Sequence, residues 1–289
     1  MTILITGSTG FLGSYLLKSF AKKDYEVIAL KRSTSNTYRI SDYLSSIKIY
    51  DTDKTDLLDI FENHKIDIVV NTVTNYGRSD SKPSSITSTN LLFGLNLLEI
   101  SVGKIKAFIN TDTLLDRNIN AYSLSKAQLV DWMQFLSNKS TKIINIKIEH
   151  MYGPLDDENK FIYWLINQLK RNIEKINLTS GIQKRDFIYV DDVVNAYEAI
   201  IENINTFSNF EEFELGTGKS VEVRSFIEKI YKEISSHQYL STKLDFGVIP
   251  YRDNENMDMQ ADIKKLVNLG WKPKKSIGDG IKKILREKR

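Results

Sequence analysis

Six short apolar runs, most of them followed by a segment of helical period, fill the first half of the chain and restrict its fold more than any other feature. They read "TILIT", "EVIAL", "IKIY", "IDIVVN", "KAFIN" and "KIINIKI". The spacing predicts helices near 11–23, 54–63 and 85–102, and another from about Ala121 to 137. Strands apolar on both faces and separated by helices predict a parallel sheet covered on each side. Right-handed crossovers make it doubly wound, an α/β fold of Rossmann type. From Tyr152 the rhythm changes. "YGPLDDENK" breaks the pattern, a helix follows near 160–171, and shorter elements predict a smaller α+β part. No Pro-rich linker divides the two parts, so a shared cleft is the expected place for a ligand.

Bulk properties narrow the function by exclusion. With 289 residues the chain can bury a large core. Its 40 basic and 37 acidic side chains leave a formal charge of +3, no footing for nucleic-acid or membrane binding by charge. The absence of cysteine removes disulfide and thiolate chemistry and fits a cytoplasmic setting. "MTILITGSTGFLG" does not read as a signal peptide. No apolar run reaches the roughly 18 to 20 residues of a membrane helix. His64, His150 and His237 are scattered without metal-ligand spacing. The triplets Asn138–Lys139–Ser140 and Asn177–Leu178–Thr179 match the glycosylation pattern, without meaning in a cytosolic protein.

"GSTGFLG" sets Gly7, Gly10 and Gly13 directly after the first strand, at the mouth of the first helix. A tight turn, close approach to a pyrophosphate and close helix–strand packing each need a missing side chain. The helix start adds N–H groups and partial positive charge. Thr9, Phe11 and Leu12 complete the candidate dinucleotide loop. A flexible turn is the competing reading, but the position at the head of a βαβ chain favours a cofactor. The second run ends in "ALKRS". An NAD site carries an acid there for the ribose hydroxyls. Lys31, Arg32 and Ser33 instead offer cations and a hydroxyl suited to a 2′-phosphate. A solvated basic loop competes and NAD(H) stays open, yet the pattern favours NADP(H). Asp51 is a candidate acceptor for the adenine amino group, or a plain loop residue.

Tyr-x-x-x-Lys occurs twice, at Tyr50/Lys54 and Tyr122/Lys126. Tyr50 ends a predicted strand and Lys54 opens a helix, so they need not face one way. Tyr122 and Lys126 lie in one predicted helix, where residues four apart share a face. "INTDT" just upstream ends a strand of the sheet, and ligands bind beyond such ends. Lys126 as an ammonium is expected to lower the phenol's pKa and to reach the nicotinamide ribose, with Thr111 bonding a substrate oxygen.

With these residues in place the chain resembles the extended short-chain dehydrogenase/reductase family, the NAD-dependent epimerase/dehydratase enzymes that act on nucleotide sugars. "YGPLDDENKF", "TSGIQKRDFIYVDDVVNAY", "LGTG" and "YRDNENMDMQADIKKLVNLGWKP" match its substrate domain in order and spacing. "EHMYGP", "DENKF" and "YRDNE" are similar to the abequose/paratose-synthase-like 4-ketoreductases within it. The resemblance implies Tyr122 as proton donor, Lys126 as its partner and Thr111 as the substrate-oxygen contact, with Thr113 the alternative if the strand end is shifted. It implies Lys160, Arg185, Arg252 and Glu255 as substrate contacts, the arginines holding the nucleotide diphosphate. A salt bridge from Arg185 to Asp186 or Asp191 competes, and Asp191 and Asp192 read as structural helix N-caps. His150, Tyr152 and Pro154 fall in the stretch that passes the nicotinamide, His150 as a cofactor contact. Asn90, grouped with the substrate site, matches an asparagine that supports the active-site helix. The division implied is a dinucleotide domain of 1–152 with roughly 186–210, and a nucleotide-sugar domain of 153–185 and 211–289.

Dehydration, epimerisation and reduction share this scaffold. Similar dehydratases carry Asp then Glu after the threonine; here the pair is Asp112 and Thr113, an incomplete set for elimination. Epimerases of the family keep NAD and carry an acid where Lys31 stands. The expectation is therefore NADPH-dependent reduction of a 4-keto-6-deoxy or 3,6-dideoxy hexose, CDP-linked, for O-antigen or other surface polysaccharide. A 4-epimerase with bound NAD is the alternative, and a non-catalytic dinucleotide sensor the alternative of another class. Leu92, Leu95, Leu129, Trp132 and Met133 extend beyond one narrow apolar stripe. In the family such helices pair across a two-fold axis, which implies a homodimer; simple burial in the monomer competes.

Overall fold

The first run becomes β1 (Thr2–Thr6), buried along its whole length, and leads through the glycine turn into α1 (Phe11–Lys22). The computed structural model describes residues 1–78, 81–137, 140–253 and 255–286; Asn138 and Lys139 of the first glycosylation triplet lie outside the described residues. β2 (Glu26–Lys31), β3 (Lys48–Asp51), α2 (Leu57–Asn63) and β4 (Ile68–Asn71) follow, with a 3-10 turn at Tyr38–Tyr43. A long helix starts as α3 (Pro83–Thr87), passes through a π turn (Ser88–Leu92) and continues as α4 (Phe93–Ser101). Then come β5 (Ala107–Thr113), α5 (Ala121–Phe135) and β6 (Lys142–Ile148). The rest comprises β7 (His150–Tyr152), α6 (Phe161–Lys170), β8 (Lys175–Leu178), β9 (Lys184–Arg185), β10 (Phe187–Tyr189) and α7 (Val190–Glu202). β11 (Phe210–Leu215), β12 (Val221–Glu222), α8 (Val223–Ser235), β13 (Lys243–Phe246), α9 (Lys264–Asn268) and α10 (Ile277–Arg286) complete it.

The chain forms two compact units, one of Met1–Ile148 with Tyr197–Phe213, the other of Glu149–Ala196 with Glu214–Arg289. A sheet of seven strands in the order β11-β6-β5-β4-β1-β2-β3 runs through the first. Ile5 lies opposite Ala29 on one side and Val70 on the other, both pairings parallel. The chain winds outward from β1 to β3 and returns to β4. The switch point, where ligands bind in such sheets, therefore falls beyond the carboxyl ends of β1 and β4. Leu4, Ile28, Val69, Phe108 and Ile143 bury one face of the sheet together with Leu97, Leu98, Leu129 and Met133 from α4 and α5.

Several expectations shift. β5 extends to Thr113, which puts Thr111, Asp112 and Thr113 inside the strand. The helix expected from 54 starts at Leu57, because the Asp56 carboxylate caps it by accepting from the Leu58 N–H (2.9 Å). Leu129 and Met133 are fully buried core residues, and only Leu92 and Trp132 of the expected apolar set are exposed. The strands are also not apolar on both faces. A buried chain of amides crosses them: Thr6 donates to Asn71 (2.7 Å), Asn71 to Asn110 (3.1 Å), Asn110 to Asn145 (2.9 Å) and Asn145 to Asp112 (2.9 Å). Each member has a partner, which is what makes so many amides tolerable at this depth.

In the second unit β7 pairs with β10, β9 with β12 and β8 with β13. Tyr152 packs edge-on against Tyr189 and Phe226, and Phe187 stacks on Phe226. The buried Asp186 carboxylate accepts from the Thr217 and Gly218 N–H groups (2.7 and 2.9 Å), anchoring the "LGTG" turn. Asp191 and Asp192 sit in the first turn of α7, not at its cap. Asp191 pairs with Lys283 (3.0 Å) and Asp192 accepts the Lys275 N–H (2.8 Å). Among the described residues no helix is long and apolar enough to cross a membrane, and no group of His, Asp and Glu could hold a metal ion.

Candidate active site

Gly7 has φ +62° and its carbonyl accepts the Gly10 N–H (2.8 Å), closing the turn. A Cβ on Gly13 would stand 2.2 Å from the Gly7 carbonyl oxygen, so α1 can meet the loop this closely only through glycine. No side chain caps α1. The N–H groups of Phe11, Leu12 and Gly13 thus keep the character of an anion-binding helix start. Thr9 lies between the glycines. This cradle, tight in backbone and set at a helix start, fits a dinucleotide pyrophosphate.

At the end of β2 the structure rearranges the expected partners. Lys31 donates to Asp51 (2.5 Å), the candidate acceptor for an adenine amino group. Ser33 gives both its N–H (2.7 Å) and its hydroxyl (2.5 Å) to Asp53, which holds the Asp53 carboxyl below the usual range. Its donors are therefore not available as they stand. Arg32 is exposed. A second arginine reaches the loop: Arg39, nine-tenths buried in the 3-10 turn, donates to the Thr9 carbonyl (3.2 Å). Ser8 ties the loop to the end of β2 by donating to the Leu30 carbonyl (3.0 Å).

Asn120 starts α5 with a reciprocal capping box. Its side chain accepts from the Ser123 N–H (2.9 Å), and Ser123 accepts from the Asn120 N–H (3.3 Å). Tyr122 and Lys126 consequently occupy the first turns of the helix, above the end of β5. The Thr113 hydroxyl accepts the Leu115 N–H (3.2 Å) and draws the Tyr122 pKa down slightly. Thr111 turns the other way, its hydroxyl 2.6 Å from that of Tyr197. Lys126 is almost completely buried and donates to the Thr111 (2.8 Å) and Val73 (3.3 Å) carbonyls. Tyr50, by contrast, bonds His64 (2.7 Å). Burial raises the Tyr122 pKa, and Tyr76 and Asp112 add to the rise. Burial dominates, and the group that draws the pKa down is Thr113, where Lys126 was expected.

Burial pushes Lys126 the opposite way, from 10.5 down to about 8, with Asp112 opposing the fall. Between these values the unfolded chain carries more protons than the folded one, so stability should rise with pH from about 8 toward 10. The gain is about 3 kcal/mol. Urea midpoints measured across that window should climb for the wild type and stay flatter for Lys126→Met.

Asn90, set on the π turn and fully buried, spends its amide on protein. It accepts from the Asn75 N–H (2.7 Å) and donates to the Asn75 carbonyl (2.9 Å) and the Ser125 hydroxyl (3.0 Å). A π turn is where a helix re-aims a side chain. Asn90, grouped with the substrate site by resemblance, thus ties the loop after β4 to α5.

The remaining candidates belong to the second unit. His150 receives the buried Glu149 carboxylate at Nδ1 (2.8 Å) and packs edge-on to Phe187. Tyr152 is a core residue and Pro154 is buried. Lys160 pairs with Asp156 (2.7 Å). Arg185, buried, pairs with Glu255 and with neither Asp186 nor Asp191. Arg185 and Glu255 are therefore neighbours, while Arg252 is exposed.

A profile of the NAD dependent epimerase/dehydratase family matches residues 3–216. The chain belongs to this family. Two CDP-abequose synthases, from Salmonella muenchen and Salmonella typhimurium, are 35% and 32% identical to it. Those alignments span 99% and 98% of this chain and 97% of each relative. UDP-glucose 4-epimerase of Thermotoga maritima, crystallised with UDP-glucose, superposes with a TM-score of 0.84 at 24% identity, over 99% of this chain and 97% of that one. That likeness is one of fold.

For this epimerase/dehydratase-family enzyme, reading the sequence misses Arg39, Asp53, Asn75 and Tyr76. Arg39 and Asp53 carry no local signal, since each acts through a contact 20 or more residues away. Asn75 and Tyr76 follow β4 at the switch point, and that position is the signal by which they could have been found.

Proposed function

We propose that the chain reduces the 4-keto group of a nucleotide-activated 4-keto-6-deoxy or 3,6-dideoxy hexose, CDP-linked, using NADPH. The observation that carries this reading is Tyr122 one helical turn before buried Lys126, which is anchored to the Thr111 carbonyl at the end of β5. A bound reduced nicotinamide supplies the hydride. Tyr122, kept protonated by burial, gives its proton to the ketone oxygen, and Thr113 steadies that oxygen by a hydrogen bond. Lys126 stabilises the tyrosinate left behind. Asp112, the one carboxylate of the strand end, is engaged by Asn145 within the sheet, which speaks against an eliminating enzyme. The 35% identity to a CDP-abequose synthase supports the CDP-sugar assignment.

NADPH is preferred on the strength of Arg32 and Arg39, with Asp53 the carboxylate that a 2′-phosphate displaces from Ser33. Arg185 and Arg252 would bind the nucleotide diphosphate, and Glu255 exchanges its arginine for a substrate hydroxyl. A homodimer is supported by exposed Leu92, Leu124, Trp132 and Phe135 on the paired helices. The product would feed a surface polysaccharide from the cytoplasm. With CDP-4-keto-6-deoxyhexose we expect one NADPH consumed per alcohol formed. Turnover without net NADPH loss would favour a 4-epimerase, and binding without turnover a sensor.

A further inference from the structure

Tyr76 has no role in the chemistry above, yet the fold places it with care. The residue is 44% exposed, beside the half-buried Tyr122. The ring centroid lies 5.2 Å from that of Tyr122, tilted by 42°, and the Arg78 guanidinium sits 5.3 Å from the Tyr76 centroid. Just before it, Asn75 is gripped through both backbone groups by Asn90. Asn90 also bonds Ser125, and the Ser125 hydroxyl donates to the Tyr122 carbonyl (2.9 Å). The position of Tyr76 relative to Tyr122 is thus set by a buried hydrogen-bond relay, while its own ring stays accessible.

We infer that Tyr76 is a specificity-determining substrate contact, an aromatic platform that selects hexoses lacking the 6-hydroxyl. The inference rests on the reductase reading, which puts the C4 oxygen at the Tyr122 hydroxyl. C6 is bonded to the carbon next to C4, so the neighbouring ring is the surface that its substituent meets. A methyl group there buries apolar area against the ring. A hydroxyl there loses water and gains no acceptor from the ring face. Discrimination of this kind is worth about 10- to 100-fold.

The test runs the reaction backwards, oxidising with NADP⁺ a CDP-linked 6-deoxyhexose and its 6-hydroxy counterpart. The wild type should prefer the deoxysugar by ~10-fold or more in kcat/KM. Tyr76→Ala should erase that preference by lowering kcat/KM for the deoxysugar alone, through KM, and Tyr76→Phe should retain it. Calorimetry with the same two sugars and with CDP alone should show Tyr76→Ala losing affinity for the deoxysugar and not for CDP. Equal losses on both sugars, or a Phe variant as impaired as the Ala variant, would overturn the platform and leave the reductase reading standing. A wild type that oxidises neither alcohol and reduces no 4-ketosugar would overturn both.

Discussion

Tyr122→Phe is expected to bind NADPH and nucleotide sugar as the wild type does while reducing the ketone ~1,000-fold more slowly. The substitution removes one oxygen from a half-buried ring whose aromatic neighbours are unchanged. Packing therefore survives and the loss falls on proton transfer. Burial holds the phenol protonated through neutral pH, which suits a group that must donate. The residual rate should no longer follow the titration of Tyr122. Single-turnover NADPH oxidation, with affinity measured separately by calorimetry, separates the two effects. A Phe variant of near-wild-type rate would remove Tyr122 from the chemistry.

Gly13→Ala should cost the protein its coenzyme. The added methyl would stand 2.2 Å from the Gly7 carbonyl oxygen and 2.9 Å from the Thr72 hydroxyl. Backbone cannot rotate aside as a side chain can, so either the turn opens or the head of α1 moves off β1. Both disturb the N–H groups that face the pyrophosphate. We expect NADPH affinity to weaken by about 100-fold or more, roughly 3 kcal/mol, with a lower melting temperature. Gly278→Ala, in the first turn of α10 with only a 3.9 Å contact, serves as control and should be neutral or slightly stabilising. Loss of NADPH binding without a change in melting temperature would still fit; unaltered binding would not.

The two kinds of residue differ in how far apart their partners lie in sequence. Gly7, Gly10 and Gly13 act within one turn, and Tyr122 and Lys126 share a helix by spacing alone. Which threonine hydroxyl stays on the Tyr122 side could not be read in the same way. Thr111 and Thr113 are equivalent by spacing, and only the packing of Tyr197, 86 residues from Thr111, draws Thr111 away. The surroundings of the β2 end were half legible for a similar reason. "ALKRS" names its cations and its hydroxyl, but the Asp53 carboxylate that holds Ser33 arrives from the turn after β3. The amide chain through Asn71, Asn110 and Asn145 was invisible, because its links span 35 to 65 residues and strand periodicity reports only which positions are apolar.

The order of residues by itself determined the parallel sheet, the glycine turn and the helix bearing Tyr122 and Lys126. These follow from apolar period, glycine spacing and capping, which are properties of neighbouring residues. Tertiary structure alone decided that Thr111 turns to Tyr197, that Asp112 is engaged by Asn145, that Asp53 holds Ser33 and that Tyr76 stands beside the phenol. A hydrogen bond or ring contact needs two groups within a few ångströms, and for residues far apart in the chain only the folded packing brings them there.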